Sequence, residues 1–198
     1  MEMVSMNTLS LGENLEQAAS VAPHKVALVE GEKRKTFKEL DTMATALAAS
    51  LQELGIRKGD RVAIYMKSSI EFVVSFYAIE KLGGIVAWVN PNYRKTEAEF
   101  ILRNSEAKGI VIFREWEGYD YLDAVLKMKE NLPSLEFTLL VGEGEGEMIW
   151  RFDDLLKRGY GTSFSPPVIQ SQEDLAMLIY TSGTTGRPRE PHRPIGLY

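Results

Sequence analysis

The stretch "RVAIYMKSSIEFVVSFYAIEKLGGIVAWVN", residues 61–90, decides the fold class because it has the pattern of a strand, a helix and a second strand. Its first six and last six residues are apolar runs of the length of buried strands. The segment between them is apolar on most sides and predicts a deeply buried helix. A Ser68–Glu71 capping box would begin this helix, and Gly83 and Gly84 would end it. Two strands joined by a helix form a βαβ unit, which is typical of a parallel sheet.

The chain before this unit predicts a hairpin and a long amphipathic helix. Val26–Glu30 and Arg34–Phe37 form the arms of the hairpin. In the helix, apolar residues recur three and four positions apart, which is the spacing of one helical face. A Thr36–Glu39 capping box begins this helix and Gly55 ends it.

The alternation of strands and helices continues after the unit. Thr96 and Glu99 predict a third capped helix start. The remaining predicted elements are a strand at Gly109–Phe113, a helix at Tyr119–Glu130, a strand at Leu135–Gly142, a linker at Gly159–Pro167 and a last strand at Ala176–Tyr180. We therefore expect an α/β fold whose βαβ units form a mainly parallel sheet covered by helices.

The composition is that of a globular chain and excludes several classes of protein. The net charge of −5 provides no general basic surface, and we expect no nucleic-acid partner. Cysteine is absent, which excludes disulfides and thiolate chemistry, and two histidines, His24 and His192, are too few for a histidine-rich metal site.

The sequence shows no targeting segment. Its N-terminal residues lack the basic and apolar regions of a secretory signal, and no apolar run approaches the ~20 residues of a transmembrane segment. We therefore expect a cytoplasmic protein without a transmembrane segment.

A second stretch, "LIYTSGTTGRPRE" at residues 178–190, predicts a function, because a strand there runs into a loop rich in Gly and Thr. Glycines let backbone N–H groups turn toward an anion, hydroxyls add donors, and a nearby arginine balances charge. The loop is not a Walker A loop, since Pro188 stands where that motif, counted from Gly183, requires its second glycine. By residue content it is either a phosphate-binding loop or a plain surface turn.

The longer string "LIYTSGTTGRP", residues 178–188, resembles the phosphate-binding loop of the adenylate-forming (AMP-binding) ligases. This superfamily comprises acyl-CoA synthetases, luciferase and peptide-synthetase adenylation domains. Residues 14–40 resemble the N-terminal opening of the family, and residues 51–112 resemble its first subdomain. The chain thus resembles the N-terminal part of an acyl-CoA synthetase, of the long-chain fatty-acid–CoA ligase type.

The resemblance implies that a carboxylic acid, a fatty acid by overall likeness, is activated with ATP to an acyl-adenylate and then transferred to CoA. The complete enzyme would use ATP, Mg²⁺ and CoA, and the resemblance assigns no catalytic residue and no metal ligand within this chain. It assigns the β- and γ-phosphates of ATP to the loop. The expected nucleotide-binding residues are Thr181, Ser182, Gly183, Thr184, Thr185, Gly186 and Arg189.

The end of the chain departs from the family pattern, which continues with lysine and glycine after Pro188. Arg189 keeps the charge of the lysine but presents it as a planar fork. Glu190 brings a carboxylate toward the phosphates and opposes binding by about 1 kcal/mol in a solvated site. His192 lies in a proline-rich stretch and fits a tail residue better than a catalytic base.

Two further expectations concern the organisation of the chain. We expect an incomplete N-terminal AMP-binding domain, with a first α/β subdomain at residues 1–165 and the start of the phosphate-loop region at residues 166–198. Strands without neighbours would leave unpaired sheet edges, which predicts a homo-oligomer. "NPNYR", residues 90–94, ends a strand where sites of parallel sheets gather, but a structural turn is favoured.

Three functional interpretations stay open. The chain is part of an acyl-CoA ligase and is inactive in isolation, or it is a folded non-catalytic unit that binds nucleotide weakly or not at all, or it is a complete small phosphate-binding module.

Overall fold

The computed structural model describes residues 9–169 and 173–180. In chain order, the elements are α1 (Leu11–Val21), β1 (Val26–Glu30), β2 (Lys33–Thr36), α2 (Phe37–Glu53), β3 (Arg61–Tyr65), α3 (Ile70–Lys81), β4 (Ile85–Trp88), α4 (Lys95–Ser105), β5 (Gly109–Phe113), β6 (Glu115–Trp116), β7 (Tyr119–Asp120), α5 (Tyr121–Met128), β8 (Phe137–Val141), β9 (Ile149–Arg151), α6 (Phe152–Gly159) and β10 (Met177–Ile179). A short 3₁₀ turn, Lys129–Asn131, follows α5.

Six of these strands form one sheet in the order β10-β4-β3-β5-β8-β9, and every neighbouring pair is parallel. Two small antiparallel hairpins, β1–β2 and β6–β7, lie apart from this sheet. The predicted α/β fold with a mainly parallel sheet is confirmed. In the part of the chain that the structure describes, no helix has both the length and the apolar character needed to cross a membrane.

Helices cover both faces of the sheet, because successive side chains of a strand point to opposite faces. In β3, Val62 and Ile64 face one hydrophobic core, and Ala63 and Tyr65 face another. The first core also receives side chains from α1, α2, α3 and α6, whereas the second receives side chains from α4 and α5. All four named β3 residues are fully buried, as expected for a central strand of a parallel sheet.

The predicted start and end of α2 are confirmed. The Thr36 hydroxyl accepts a hydrogen bond from the Glu39 backbone N–H (3.2 Å), and the Glu39 carboxylate accepts one from the Thr36 backbone N–H (2.8 Å). Beyond the helix, Gly55 has a φ of 97°, a conformation that glycine adopts without steric cost.

The predicted capping box of Ser68 and Glu71 at the start of α3 is wrong by one residue. The N-cap is Ser69, whose hydroxyl accepts a hydrogen bond from the backbone N–H three residues on (3.1 Å). The Glu30 carboxylate, from β1, accepts a hydrogen bond from the Ile70 N–H (3.2 Å). A carboxylate from a distant strand therefore accepts a backbone hydrogen bond at the helix start, where the local Glu71 was expected to do so.

The predicted capping box of Thr96 and Glu99 at the start of α4 is also wrong. The helix begins at Lys95, so Thr96 lies inside its first turn. The N-cap is Arg94, whose backbone N–H donates to the Glu97 carboxylate (3.2 Å). The observed N-cap and its glutamate thus each lie two residues before the predicted pair.

Two helices were not predicted, α1 and α6. The α6 helix packs on α2 at short range because small residues face each other. The Ser50 hydroxyl donates a buried hydrogen bond to the Leu155 carbonyl (2.6 Å). A Cβ added at Gly159 would lie 1.8 Å from the Ala46 carbonyl oxygen. Gly159 was assigned to a linker but is the last residue of α6, and the contact leaves no room for a side chain there.

We expect Gly159→Ala to destabilise the fold by about 1–3 kcal/mol, because the added methyl group forces α6 away from α2. Urea unfolding followed by circular dichroism measures this loss. Gly161→Ala is the matched control, since its nearest neighbouring atom would lie at 3.9 Å and the change should stay within about 0.5 kcal/mol. Equal stability of the two variants would contradict the close packing of α6.

Two charged residues at the end of α3 are buried and differ in their surroundings. The Lys81 ammonium is paired with Glu16 and with Asp41, the latter at 2.9 Å. Glu80 is 6% exposed, and its Oε1 has no hydrogen-bond partner among the described residues. Burial raises the pKa of the Glu80 carboxyl to about 8, which keeps the side chain protonated near neutral pH.

Glu80 predicts a specific dependence of stability on pH. Its folded-state pKa lies above the ordinary value of 4.5, so the folded state binds more protons between about pH 4.5 and pH 8. The free energy of unfolding therefore falls as pH rises through this window. Glu80→Gln should remove that fall and be more stable than the wild type at pH 9, by up to about 5 kcal/mol, with little difference at pH 4.5.

Chemical denaturation at several pH values tests this expectation. Glu32→Gln, at the exposed tip of the β1–β2 hairpin, is the control and should follow the wild type at every pH. A parallel loss of stability in Glu80→Gln and the wild type would show that Glu80 is already ionised in the folded state.

Candidate functional site

The residues expected to bind nucleotide lie outside the described residues. These are Thr181, Ser182, Gly183, Thr184, Thr185, Gly186 and Arg189, and the same holds for Glu190 and His192. The structure does describe the strand that leads to them and the edge of the sheet at which that strand ends. The candidate site is therefore built from this edge.

The last predicted strand is confirmed as β10, at the outer edge of the sheet beside β4. Its pairing sets Ile179 opposite Trp88. Tyr180, which follows β10, is 6% exposed, and its phenol oxygen lies 3.3 Å from Nδ2 of Asn104 in α4. The chain therefore reaches Thr181 from the carboxyl edge of the sheet, with Tyr180 buried against the helix on one face.

A strap, residues 162–169 and 173–176, precedes β10 and is fastened to the body of the fold. The Lys58 ammonium lies 2.6 Å from a carboxylate oxygen of Asp174 and donates a hydrogen bond to the Val168 carbonyl (3.0 Å). The Gln52 side-chain amide donates to the Ser165 carbonyl (3.1 Å). The strap then joins the sheet, where its last residue accepts a hydrogen bond from β4.

The chain connections change face at the centre of the carboxyl edge. After β3 the chain enters α3 on one face, whereas after β5 it enters α5 on the other. In open α/β sheets such a switch point leaves a crevice in which ligands bind. Lys67 follows β3, with its ammonium 5.9 Å from the centre of the Phe113 ring, and Arg114 follows β5, 3.2 Å from an Asp120 carboxylate oxygen.

Three tyrosines form a cluster next to this switch point. The rings of Tyr65 and Tyr119 each meet the Tyr121 ring edge to face, with centroids 4.8 and 4.9 Å away. The Tyr65 hydroxyl donates to the Tyr93 carbonyl (2.5 Å), and the Tyr121 hydroxyl donates to the Pro91 carbonyl (2.7 Å). Burial raises the pKa of both phenols, so they remain neutral hydrogen-bond donors.

The accepting carbonyls belong to the turn at residues 90–93, which follows β4. Within it, the Asn90 side chain accepts a hydrogen bond from the Asn92 N–H (2.9 Å). The Arg94 guanidinium lies 4.5 Å from the centre of the Tyr119 ring and donates to the Asn92 and Tyr93 carbonyls (3.1 and 3.3 Å). The prediction of a structural turn is confirmed, and the turn is anchored to β3, α5 and β7.

Sequence reasoning missed this cluster. Tyr65 is far from Tyr119 and Tyr121 in the chain, and no local pattern indicates that they meet. The only signal was that residues 90–94 follow a strand at the edge where parallel sheets gather their sites. Within residues 9–169 and 173–180, no group of three or more histidine or acidic side chains is arranged to hold a metal ion.

Comparisons with known proteins agree with this architecture. Residues 15–189 match the AMP-binding enzyme family. A medium/long-chain-fatty-acid–CoA/3-oxocholest-4-en-26-oate–CoA ligase of Mycolicibacterium smegmatis is 30% identical over 187 residues, which cover 91% of this chain and 32% of the relative. A 2,3-dihydroxybenzoate–AMP ligase of Bacillus subtilis is 28% identical over 177 residues, which cover 89% of this chain and 32% of the relative.

Solved structures show the same fold. The crystal structure of the anthranilate CoA ligase AuaEII, in complex with anthranoyl-AMP, superposes with a TM-score of 0.82 and 31% identity over 93% of this chain and 34% of the ligase. The chain thus spans about a third of the length of the relatives that it matches.

The fastening of the strap yields a prediction for β10. Lys58→Met keeps the apolar stem of the side chain but removes its charge, so Asp174 and Val168 of the strap lose their contacts to residue 58. Because the ion pair is partly exposed, we expect a modest effect. Hydrogen exchange of the β10 backbone amides should become about two- to fivefold faster. Mass spectrometry of peptides that cover residues 173–180 measures it.

Lys38→Met is the matched control, since Lys38 is an exposed lysine on α2. It should leave exchange in β10 unchanged. If Lys58→Met also leaves β10 unchanged, the pairing with β4 alone holds this strand.

Proposed function

Because the chain belongs to the AMP-binding enzyme family, we propose that it is the N-terminal portion of a ligase that activates a carboxylic acid with ATP and transfers the acyl group to CoA. The single observation that carries the proposal is the match over residues 15–189, which includes both the described sheet and the Gly/Thr loop that follows β10. Named relatives join acids to CoA or to AMP.

The proposed chemistry begins when a carboxylate oxygen attacks the α-phosphorus of ATP. The bond from the α-phosphorus to the bridging oxygen breaks, and pyrophosphate leaves with the electron pair. In the proposal, the loop from Thr181 to Gly186 holds the β- and γ-phosphates through backbone N–H groups and hydroxyls, and Arg189 adds a cation. Mg²⁺ would neutralise further charge on the phosphates when it is bound.

The acid substrate is proposed only to the level of its class. A fatty acid remains our choice within the family, with CoA as the acceptor. The relatives' names include fatty acids, a steroid acid and dihydroxybenzoate, and the structural neighbour is named for anthranilate. Both aliphatic and aromatic acids therefore belong in any assay. We also propose a cytoplasmic homo-oligomer.

A second candidate is a folded non-catalytic unit that binds nucleotide weakly or not at all, and the share of the relatives' length that the chain covers is compatible with it. The chain spans about a third of its relatives, yet its sheet has helices on both faces within the described residues. Such a unit could fold without completing an active site. The two candidates differ in whether the chain binds ATP and whether added sequence restores catalysis.

ATP–pyrophosphate exchange with Mg²⁺ and acids from acetate to palmitate and benzoate tests the proposal. We expect no exchange by the chain alone, and exchange that depends on one acid when the C-terminal two thirds of the Mycolicibacterium relative is fused to it. We also expect the chain alone to bind ATP in calorimetry. Absence of exchange in every fusion would support the non-catalytic candidate, and absence of ATP binding would contradict the proposed loop.

Thr184→Ala tests the loop itself. Removal of one hydroxyl donor to a charged phosphate should weaken ATP binding about tenfold or more. Thr42→Ala is the control, because Thr42 lies on α2 and its hydroxyl donates to the Lys38 carbonyl instead. Equal affinities of the two variants for ATP would contradict the assignment of the loop to the proposed site.

A further inference from the structure

The β1–β2 hairpin and the residues on either side of it are positively charged, although the chain as a whole is acidic. Residues 21–38 contain four lysines and one arginine against two glutamates, which gives a net charge of +3. The whole chain carries −5, so the other residues together carry −8. Opposite charges are thus segregated along the chain, and an anionic partner would be attracted to the hairpin region first.

The cations of the hairpin are accessible to a partner. Lys25, Lys33 and Arg34 are exposed, and the ion pairs among the described residues do not include them. Of the two glutamates, Glu30 turns toward the body of the fold, where its carboxylate accepts a hydrogen bond from a backbone N–H at the start of α3 (3.2 Å). Glu32, at the exposed tip, is then the acidic side chain of this segment that opposes the cations.

Exposed valines accompany these cations. Val26 and Val29, on β1, are 47% and 61% exposed, and Val21, at the end of α1, is 79% exposed. A single exposed apolar residue is normal on a protein surface. Several exposed valines close together in the chain and next to a group of basic residues instead indicate an interaction surface.

The fold turns Val26 and Val29 to the same face of the hairpin. Leu28 packs on the core, so its neighbour Val29 points outward, together with its cross-strand partner Arg34. Val26 pairs with Thr36, which lies two residues after Arg34 and therefore on the same face of β2. A register shift between Val26 and Leu28 makes this arrangement possible, since residues three apart in a regular strand face opposite sides.

The outer face of the hairpin fits an anionic lipid surface better than an acidic protein. The phosphate head groups of a bilayer attract lysine and arginine, and the apolar chains just beneath them accept exposed aliphatic side chains. A protein partner is held best in a concave, well-packed pocket. The cavity beside β2, of about 490 Å³, has Lys35, Lys38 and Tyr160 in its lining but none of the three valines. The valines therefore protrude, as penetration of a soft layer requires.

We propose that the outer face of the β1–β2 hairpin, with Lys25, Val26, Val29, Lys33 and Arg34, docks this chain on an anionic lipid surface. The cations lie against the head groups, and the valines enter between them. Because the attraction is mainly electrostatic, the docking is reversible and weakens with salt. The docking goes beyond the proposed ligase activity and does not depend on it, since it requires neither ATP nor the Gly/Thr loop.

Cosedimentation of the whole chain with vesicles tests the proposal. We expect binding to vesicles of equal parts phosphatidylcholine and phosphatidylglycerol, and no binding to vesicles of phosphatidylcholine alone. Binding should fall as the salt concentration is raised, because ions screen the exposed charges. Equal binding to both kinds of vesicle, or binding to neither, would overturn the proposal.

Charge variants show whether the hairpin is the surface that binds. Arg34→Glu should weaken binding to the anionic vesicles about tenfold or more, since one base near such a surface adds about fivefold. Lys127→Glu is the matched control, because it makes the same change of charge on α5, which covers the other face of the main sheet, and it should stay within about twofold of the wild type. Glu32→Gln should tighten binding about two- to fivefold, a gain that misfolding cannot produce. Equal affinities of Arg34→Glu and Lys127→Glu would contradict docking through the hairpin.

Val29→Trp tests the apolar part of the surface through a second gain of binding. An indole sits at the boundary between head groups and apolar chains, so binding should tighten about threefold or more. Its fluorescence should also shift to shorter wavelength with anionic vesicles, relative to the wild type and its three tryptophans. Val168→Trp is the matched control, since this valine is 83% exposed and its carbonyl contacts Lys58, which lies beside Gly83 at the end of α3 away from the hairpin. The same behaviour in both variants would show that Val29 does not enter the lipid, against the proposal.

Two other occupants of this face would give different results. If soluble polyglutamate binds as tightly as the vesicles and Val29→Trp gains nothing, the face fits an acidic protein and lipid docking is wrong. If Arg34→Glu changes the mass of the chain in analytical ultracentrifugation but not its binding to vesicles, the face joins two copies of the chain and lipid docking is wrong as well. Circular dichroism checks that each variant is folded. Measurements of ATP binding stay separate, so failure of the docking and failure of the proposed function are distinguishable.

Discussion

The structure depends on one constraint: a parallel sheet must be covered on both faces, because its connections are helices and its strands are apolar on both sides. The central strand β3 shows this most clearly, with side chains fully buried in two separate cores. The change of connection from one face to the other opens the crevice at the carboxyl edge. The position of the candidate site thus follows from which face of the sheet each connecting helix covers.

Much of this architecture was predictable because the signals are local. The apolar runs that became β3, β4, β5, β8 and β10 are strands in the structure, and the α2 helix begins at the predicted capping box. The errors at the helix starts have two sources. At α3, Glu30 from a different element accepts a hydrogen bond at the helix start, whereas at α4 a local cap, Arg94 with Glu97, lies two residues before the predicted one. Helix α6 was not predicted, and only its last residue, Gly159, lay in the predicted linker.

The candidate site was likewise predictable only where its signal is local. A short contiguous motif predicts the phosphate loop, because glycines and hydroxyls act through neighbouring positions. The tyrosine cluster had no such motif, since four strands and two helices separate Tyr65 from Tyr121 along the chain. Linear patterns therefore indicate which segment meets the ligand, whereas the groups that fix its surroundings become visible only in three dimensions.

The placement of β10 has a consequence for the order of folding. Its partner β4 precedes it by nearly half of the chain, so Met177 and Val86 are among the sequence-distant pairs that close the sheet. Such pairs form slowly because the intervening chain must first be ordered. The segment with the ligase signature follows this strand. A newly made chain can thus add β10 to the sheet only after the first 176 residues have been synthesised, so this edge of the sheet is the last to be completed.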